Sequence, residues 1–277
     1  MIVDAHQHFW NYDARKHSWI DDSMQNIQRN FTPADLQIVF EKNNIDGCVT
    51  VQVEQTEEET IHLIESAKQY SFIKGIVGWT DIQSPDITER LDFFKQFSIV
   101  KGFRHIVQAE HDEFLYDQNF RKGISSLQQY DFTYDMLVYP RQLKAATDFA
   151  GAFPNQLFVL DHLAKPYIKD GLIDEWKKHI NALASPGNIW CKLSGLVTEA
   201  DWHHHPYNHF IPYLEVAVEA FGINRIMFGS DWPVCLVADS YENVVSIVNE
   251  FFGSFTKEER EKFFALNAIE FYNLNIN

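Results

Sequence analysis

The sequence predicts a single (β/α)₈ barrel, because short apolar strands alternate with helical patterns along its 277 residues. Apolar runs bounded by turn residues give eight strand candidates, and segments with helical spacing lie between them. Strands that alternate with helices form a parallel sheet, and eight such units over this length fit a closed α/β barrel of the TIM type. A doubly wound open sheet is the alternative, but no GxGxxG turn follows the first strand.

The strand candidates cover residues 2–8, 46–54, 73–80, 100–107, 133–139, 157–162, 188–194 and 225–231. Several helix starts carry explicit signals. Thr32 is followed by a proline at the first helical position, and Thr56 and Thr256 each begin a capping box with a glutamate three positions later. Ser84-Pro85-Asp86 marks another start, and the remaining helical patterns cover 143–153, 173–183, 210–221 and 241–252. Since no linker, repeat or low-complexity tract interrupts this order, residues 1–277 are expected to form one domain.

Composition limits the class of protein. With 45% hydrophobic residues the chain can bury a full core, and its net charge of −16 argues against nucleic acids and anionic membranes as general partners. No run approaches the ~18 apolar residues of a membrane-spanning helix, and no signal peptide is visible. Cys48, Cys191 and Cys235 are too few and too far apart for a disulfide framework. We therefore expect a cytoplasmic protein whose partner is a small molecule; the sequence does not indicate an oligomeric state.

Functional groups in such a barrel lie at the carboxyl ends of the strands. His6 and His8 end the first strand, and period-two alternation places both on one face. Two imidazoles there suit one divalent ion or one polarised carbonyl. Asp231 ends the last strand, where it can complete a metal site or take a proton from water. His162 is the inward candidate at the end of the sixth strand, and alternation places Asp161 on the opposite face.

The other strand ends offer groups for a substrate. Arg104 presents a guanidinium fork for a carbonyl or a carboxylate, with an ion pair to Glu54 or to an acid in a loop as the alternative. The expected substrate-binding residues are Gln52 and Glu54 for hydroxyl groups, and Trp79, Tyr139 and Trp232 as aromatic walls. Consecutive histidines in a loop point in different directions, which is typical of solvated surface; the alternative is that one of them reaches the substrate. This loop contains His203, His204 and His205.

These residues and their order resemble the amidohydrolase superfamily, and specifically its amidohydrolase 2 branch. The resemblance spans the chain and rests on the segments Val3-Asp4-Ala5-His6-Gln7-His8-Phe9-Trp10, Gly102-Phe103-Arg104-His105, Asp161-His162-Leu163-Ala164-Lys165-Pro166, Lys192-Leu193-Ser194-Gly195 and Met227-Phe228-Gly229-Ser230-Asp231-Trp232-Pro233. Within the branch the chain is most similar to the sugar lactonases that act on L-fuconolactone and L-rhamnonolactone. The resemblance implies a (β/α)₈ barrel that hydrolyses a cyclic ester.

The resemblance also bears on the metal. Members of the superfamily with two metals carry a bridging lysine at the end of strand four and a histidine at the end of strand five. This sequence has Arg104-His105 and Tyr139 at those ends. We therefore expect His6, His8 and Asp231 to hold one divalent ion at most, such as zinc. Some relatives in this branch hydrolyse lactones without a metal, so a metal-independent site is the alternative.

The predicted reaction is hydrolysis of a sugar-derived aldonolactone to the aldonic acid. Asp231 is expected to activate water, and His162 and Arg104 are expected to stabilise the oxyanion. The alternatives within this branch are a dicarboxylate lactonase and a zinc-dependent decarboxylase. A non-catalytic barrel that binds a sugar acid is an alternative of another class. Asp231 together with both histidines argues against it, because a binding protein needs no base to activate water.

Overall fold

The computed structural model describes residues 1–276 and confirms the predicted barrel. Eight parallel strands pair in chain order, namely β1 Val3–Gln7, β2 Gly47–Val51, β3 Ile73–Gly78, β4 Val100–His105, β5 Thr133–Met136, β6 Phe158–Leu160, β7 Ile189–Leu193 and β8 Ile226–Phe228. Two backbone hydrogen bonds close the ring, from Asp231 N to His6 O (2.8 Å) and from His8 N to Trp232 O (2.7 Å). Each strand lies inside its predicted range and ends before the last residue of that range. The residues at the predicted strand ends, where the site residues lie, belong to turns instead.

Helices connect the strands on the outside of the barrel. They are α1 Pro33–Asn43, α2 Glu57–Gln69, α3 Ile87–Lys95, α4 Gln118–Gln129, α5 Leu143–Gly151, α6 Asp174–Ala184, α7 Ile211–Phe221, α8 Tyr241–Phe251, α9 Lys257–Glu261 and α10 Asn267–Tyr272, the last two joined by a π-helical turn. None of the helices in residues 1–276 is both long and apolar enough to span a bilayer.

The predicted helix starts are confirmed with two differences. The capping box of Thr256 and Glu259 forms as expected. Thr56 caps α2, but the carboxylate of Glu59 turns away from it and accepts hydrogen bonds from Val53 N and Glu54 N. Glu59 thereby ties α2 to the end of β2 instead of closing a box. The helix predicted at Ser84 begins three residues later, at Ile87.

The C-terminal helix closes the amino end of the barrel. Phe271, Tyr272 and Leu274 pack against apolar residues of several strands, including Val3 and Val77. This apolar layer fills the lower part of the barrel and keeps water from entering there. Above it the interior becomes polar and charged, and that layer supports the residues at the carboxyl ends.

Candidate active site

His6 and His8 extend from β1 into the carboxyl end of the barrel. Their Nε2 atoms lie 3.2 Å apart, so the shared face predicted for the pair is confirmed. The pairing of β1 with β2 shifts register between Asp4 and Gln7. Asp4 holds this irregular stretch, because its buried carboxylate accepts hydrogen bonds from His6 N (3.2 Å) and Ser230 N (2.9 Å). The same contact fixes the last strand beside the first.

His162 lies on a left-handed turn that directly follows β6. The four residues from His162 to Lys165 all have positive φ angles, between 52° and 57°. Left-handed backbone costs about 1–2 kcal/mol per residue with a Cβ, so the surrounding contacts must maintain it. Trp176 donates from Nε1 to Leu163 O (2.8 Å), and Lys165 N donates to His162 O (2.7 Å).

This turn changes the direction of Asp161. Strand alternation predicts that Asp161 and His162 face opposite sides, and that prediction is wrong. Both side chains are buried inside the barrel, with Asp161 Oδ1 3.2 Å from His6 Nδ1 and His162 Nε2 3.8 Å from Asp231 Oδ1. The strand ends at Leu160, so the period-two rule no longer applies at the next residue.

Asp231 lies at the centre of the three histidines. Its Oδ1 atom is 3.3 Å from His8 Nε2, 3.8 Å from His162 Nε2 and 3.9 Å from His6 Nε2. Asp231 has a positive φ of 59°, and the close approach of β8 to β1 depends on Gly229. A Cβ at position 229 would lie 2.7 Å from the Cβ of His6.

Each histidine has a partner for its Nδ1 atom, which directs Nε2 toward Asp231. A 2.8 Å hydrogen bond joins His8 Nδ1 to Val51 O, which fixes Nδ1–H as the donor. His162 Nδ1 bonds to Ser194 Oγ (2.8 Å), and His6 Nδ1 faces Asp161 Oδ1 (3.2 Å). A histidine that donates its other ring N–H to a carbonyl or carboxylate is typical of a metal ligand. This chemistry favours a divalent cation at the Nε2 atoms of His6 and His8.

The separations of these donors test whether one ion fits. Two ligands of a tetrahedral zinc ion lie about 3.3 Å apart, given bond lengths near 2.0–2.1 Å. His6, His8 and Asp231 form a group whose ligand atoms all lie within 4.8 Å of one another, and so do His6, Asp161 and His162. Because His6 belongs to both groups, the two groups overlap and do not form two separate metal sites. The donor set therefore fits one divalent ion.

A layer of buried charges lies beneath the histidines. Lys192 from β7 lies 2.5 Å from Asp135 Oδ2, 3.1 Å from Asp161 Oδ1 and 3.1 Å from His6 Nδ1. Arg104 donates to Asp161 Oδ2 (3.1 Å) and also lies 3.3 Å from His6 Nε2. Two cations therefore compensate two carboxylates, and this arrangement orients His6.

Burial and these neighbours set the protonation states. Burial lowers the pKa of His6 and His162 well below the ordinary histidine value, so both rings are neutral, and a neutral His6 can bind a metal. Burial works to raise the pKa of Asp231, but His162, His8 and the charge of Lys165 outweigh it and hold that pKa below its usual value. Asp231 is therefore ionised at neutral pH.

Arg104 and Gln52 bind each other more than they face a ligand. Arg104 Nη2 donates to Gln52 O and to Gln52 Oε1 (3.0 Å), and Gln52 Nε2 donates to Arg104 O (3.2 Å). Of the alternative partners for Arg104, the loop acid is found, because Asp161 pairs with Arg104 at 3.1 Å just after the end of β6. No pair between Arg104 and Glu54 is present in the described residues, and Glu54 pairs with Lys16 at 2.9 Å. The roles of Arg104 as oxyanion donor and of Gln52 as hydroxyl binder stay predictions.

The three aromatic residues predicted as walls differ in exposure. Trp79 and Tyr139 are half-buried, and Tyr139 lies three residues beyond the end of β5. Trp232 is only 2% exposed and packs edge to face on Phe9 and Phe31. Trp232 therefore belongs to the core beside the site, and contact of its ring with a ligand stays a prediction.

The loop of three histidines contributes one structural contact. His205 bonds through Nε2 to Asp239 (3.0 Å) and through Nδ1 to Asp201 O (2.8 Å), which joins the loops after β7 and β8. His203 and His204 are exposed, in agreement with the surface interpretation.

Sequence reasoning did not assign roles to Asp135, Asp161, Lys192 and Ser194. The signal available for Lys192 and Ser194 is their place at the end of an apolar strand. For Asp135 the signal is a charged residue within an otherwise uncharged strand, which is unusual unless the charge is paired.

Known proteins match the whole chain. A family model described as amidohydrolase matches residues 3–274. A protein of Burkholderia multivorans named L-fucono-1,5-lactonase is 37% identical over 260 residues, which cover 90% of this chain and 88% of that protein. A protein of Burkholderia ambifaria with the same name is 32% identical over 281 residues, covering 99% of this chain and 96% of that protein. A crystal structure of a Burkholderia multivorans amidohydrolase with bound zinc has a TM-score of 0.96 at 36% identity, covering 99% of this chain and 100% of that one.

Proposed function

The chain is a member of the amidohydrolase family, and we propose that it hydrolyses a sugar-derived aldonolactone to the aldonic acid. The observation that carries this proposal is the convergence of three histidine Nε2 atoms on one carboxylate oxygen of Asp231, at 3.3–3.9 Å. The names of two relatives that align over at least 88% of both chains support the substrate class, an L-fuconolactone-type sugar lactone.

One divalent ion such as zinc, held by His6, His8 and Asp231, would polarise the lactone carbonyl as a Lewis acid. The protein's own residues keep these ligands in place. Asp161 and Lys192 fix His6, Val51 O fixes His8, and backbone bonds between β1 and β8 fix Asp231.

Asp231 performs the proton transfers. Its carboxylate takes a proton from water while the water oxygen attacks the carbonyl carbon, and a tetrahedral oxyanion forms. The bond between that carbon and the ring oxygen then breaks, and Asp231 returns the proton to the departing alkoxide. When Ser194 donates to His162 Nδ1, His162 presents Nε2–H to the oxyanion, a contact worth about 3–4 kcal/mol.

The charge arrangement disfavours the other activities of the branch. A dicarboxylate lactonase or a decarboxylase needs a cation that can clamp a substrate carboxylate. Arg104 is 3% exposed and its two terminal nitrogens already contact Asp161, His6 and Gln52. Lys165, a second cation near Asp231, has the carboxylate of Glu199 3.6 Å away. A neutral polyhydroxylated ring therefore suits the site better than a dianion.

A pH-indicator assay tests the proposal. The panel contains L-fucono-, L-rhamnono- and D-galactonolactone, a dicarboxylate lactone, an amide and a phosphate ester. We expect rapid hydrolysis of at least one neutral aldonolactone and little activity on the amide or the phosphate ester. A clear preference for the dicarboxylate lactone would contradict the proposal and would make Arg104 the carboxylate clamp.

A further inference from the structure

A second pair of charged side chains lies beside the histidines. Lys165 ends the left-handed turn that begins with His162, so one short segment positions both residues. Glu199 lies in the loop after β7, and its Oε1 atom is 3.6 Å from Lys165 Nζ. The Lys165 ammonium is also 5.8 Å from the centre of the Tyr139 ring.

The contacts of this pair are incomplete. The side chain of Lys165 is 19% exposed and that of Glu199 is 22% exposed, so the protein covers most of each side chain. A separation of 3.6 Å is too long for a good hydrogen bond. Within residues 1–276 the hydrogen bonds of the structure include no partner for the ammonium or for this carboxylate. Charged groups withdrawn this far from water usually have such partners.

Both groups lie on segments that reach the site. Lys165 follows His162, whose Nε2 atom is 3.8 Å from Asp231 Oδ1, by three residues. Glu199 follows Ser194, which bonds to His162 Nδ1 at 2.8 Å, by five residues. The positive charge of Lys165 contributes to the lowered pKa of Asp231, after burial and the two histidines. The pKa of Glu199 is raised, mainly by burial, and the charge of Asp231 adds to that effect. The pair is therefore near enough to Asp231 to meet the ring substituents of a lactone whose carbonyl lies there.

We propose that Lys165 and Glu199 bind two neighbouring hydroxyl groups of the lactone, with Tyr139 against the sugar ring. An ammonium only donates hydrogen bonds and a carboxylate only accepts them, whereas a hydroxyl group does both. A diol therefore satisfies both side chains at once. Glu199 also repels a substrate carboxylate, which selects neutral lactones. This inference rests on the proposed function and adds a specificity site to it.

The test compares the preferred aldonolactone with δ-valerolactone, an unsubstituted six-membered lactone. The variants are Lys165→Met, which removes the donor, and Glu199→Gln, which keeps size and removes the charge. We expect the ratio of kcat/KM for the aldonolactone to that for δ-valerolactone to fall about ten- to hundredfold in Lys165→Met, the effect of losing a hydrogen bond to a charged group. The ratio should fall by a smaller factor in Glu199→Gln, because the amide oxygen of glutamine still accepts a hydrogen bond. The loss should appear mainly in KM.

Lys169→Met is the matched control. Lys169 and Asp201 bridge the same two loops at 4.0 Å, but their side chains are 63% and 43% exposed. An unchanged ratio in Lys165→Met and Glu199→Gln would overturn the inference, whether or not overall activity fell, because a pair that only ties the loops affects both lactones alike. Equal loss in Lys169→Met would overturn it too.

A binding measurement separates this inference from the proposed function. In an Asp231→Asn background, the Kd of the aldonolactone is measured by calorimetry with and without Lys165→Met. A wild-type protein that hydrolyses no aldonolactone would refute the proposed function. A Kd that Lys165→Met leaves unchanged would refute the diol site, whatever the hydrolysis assay shows.

Discussion

Replacing Lys192 with methionine tests the buried charge layer that supports the site. The Lys192 side chain is fully buried, 2.5 Å from Asp135 and 3.1 Å from Asp161. Methionine has a similar length and no charge, so the variant leaves Asp135 with the hydroxyl of Tyr272 (2.8 Å) as its remaining donor. Asp161 keeps its contact with Arg104 at 3.1 Å. The perturbation therefore leaves Asp135 without a cation, whereas Asp161 loses one of its two.

The magnitude follows from this geometry. Removing one partner of a buried ion pair costs about 3–5 kcal/mol, because the other charge stays buried without compensation. Even with Lys192 present, burial raises the pKa of Asp135 to about 6. Lys192→Met should raise it further. A folded-state pKa above the unfolded value costs stability as pH rises, so the deficit should be larger at pH 8 than at pH 5.

Urea unfolding at both pH values measures the effect. Lys192→Met should lower the free energy of unfolding at pH 8 by about 3–5 kcal/mol. Adding Asp135→Asn should recover a large part of that loss, since the stranded charge is then gone. Lys178→Met is the control, because Lys178 and Glu175 are 70% and 80% exposed and such pairs contribute below about 1 kcal/mol. A loss below about 1 kcal/mol in Lys192→Met would refute the reasoning.

Two further predictions concern the histidines and the metal. A Cβ at Gly195 would lie 2.8 Å from His162 Nδ1 and would displace that ring, so Gly195→Ala should lower kcat at least about tenfold. Gly171→Ala is the control, because Gly171 has nearly the same φ (66° against 65°) and a Cβ there would have no atom within 4 Å. We expect it to leave kcat unchanged. Equal kcat in both variants would contradict the contact. Elemental analysis should find at most one divalent ion per chain, because both candidate ligand groups share His6; two equivalents would contradict it.

The sequence was sufficient to predict the barrel and the four central residues. Strand alternation placed His6 and His8 on one face, and the closed ring of a barrel placed Asp231 beside them. His162 was identified because it ends an apolar strand. These predictions depend on the ends of regular elements, where sequence patterns are most informative.

The support beneath the site could not be predicted, for a physical reason. The direction of Asp161 depends on a left-handed turn whose residues include Leu163 and Ala164, which carry no signal for positive φ. The partnership of Asp135 with Lys192 joins strands that are far apart in the sequence, so a local pattern does not reveal it. The sequence predicts Trp232 as an aromatic wall because it follows Asp231, yet the closing contacts with β1 bury it.

The most direct test is kcat of the Asp231→Asn variant on the preferred aldonolactone. Asparagine keeps the size of the side chain but cannot take a proton from water, so kcat should fall at least about 100-fold while the protein stays folded by circular dichroism. Asp170→Asn, at an exposed position, controls for the loss of one negative charge. A folded Asp231→Asn variant with near-normal kcat would contradict the account, because Asp231 would then have no part in activating water.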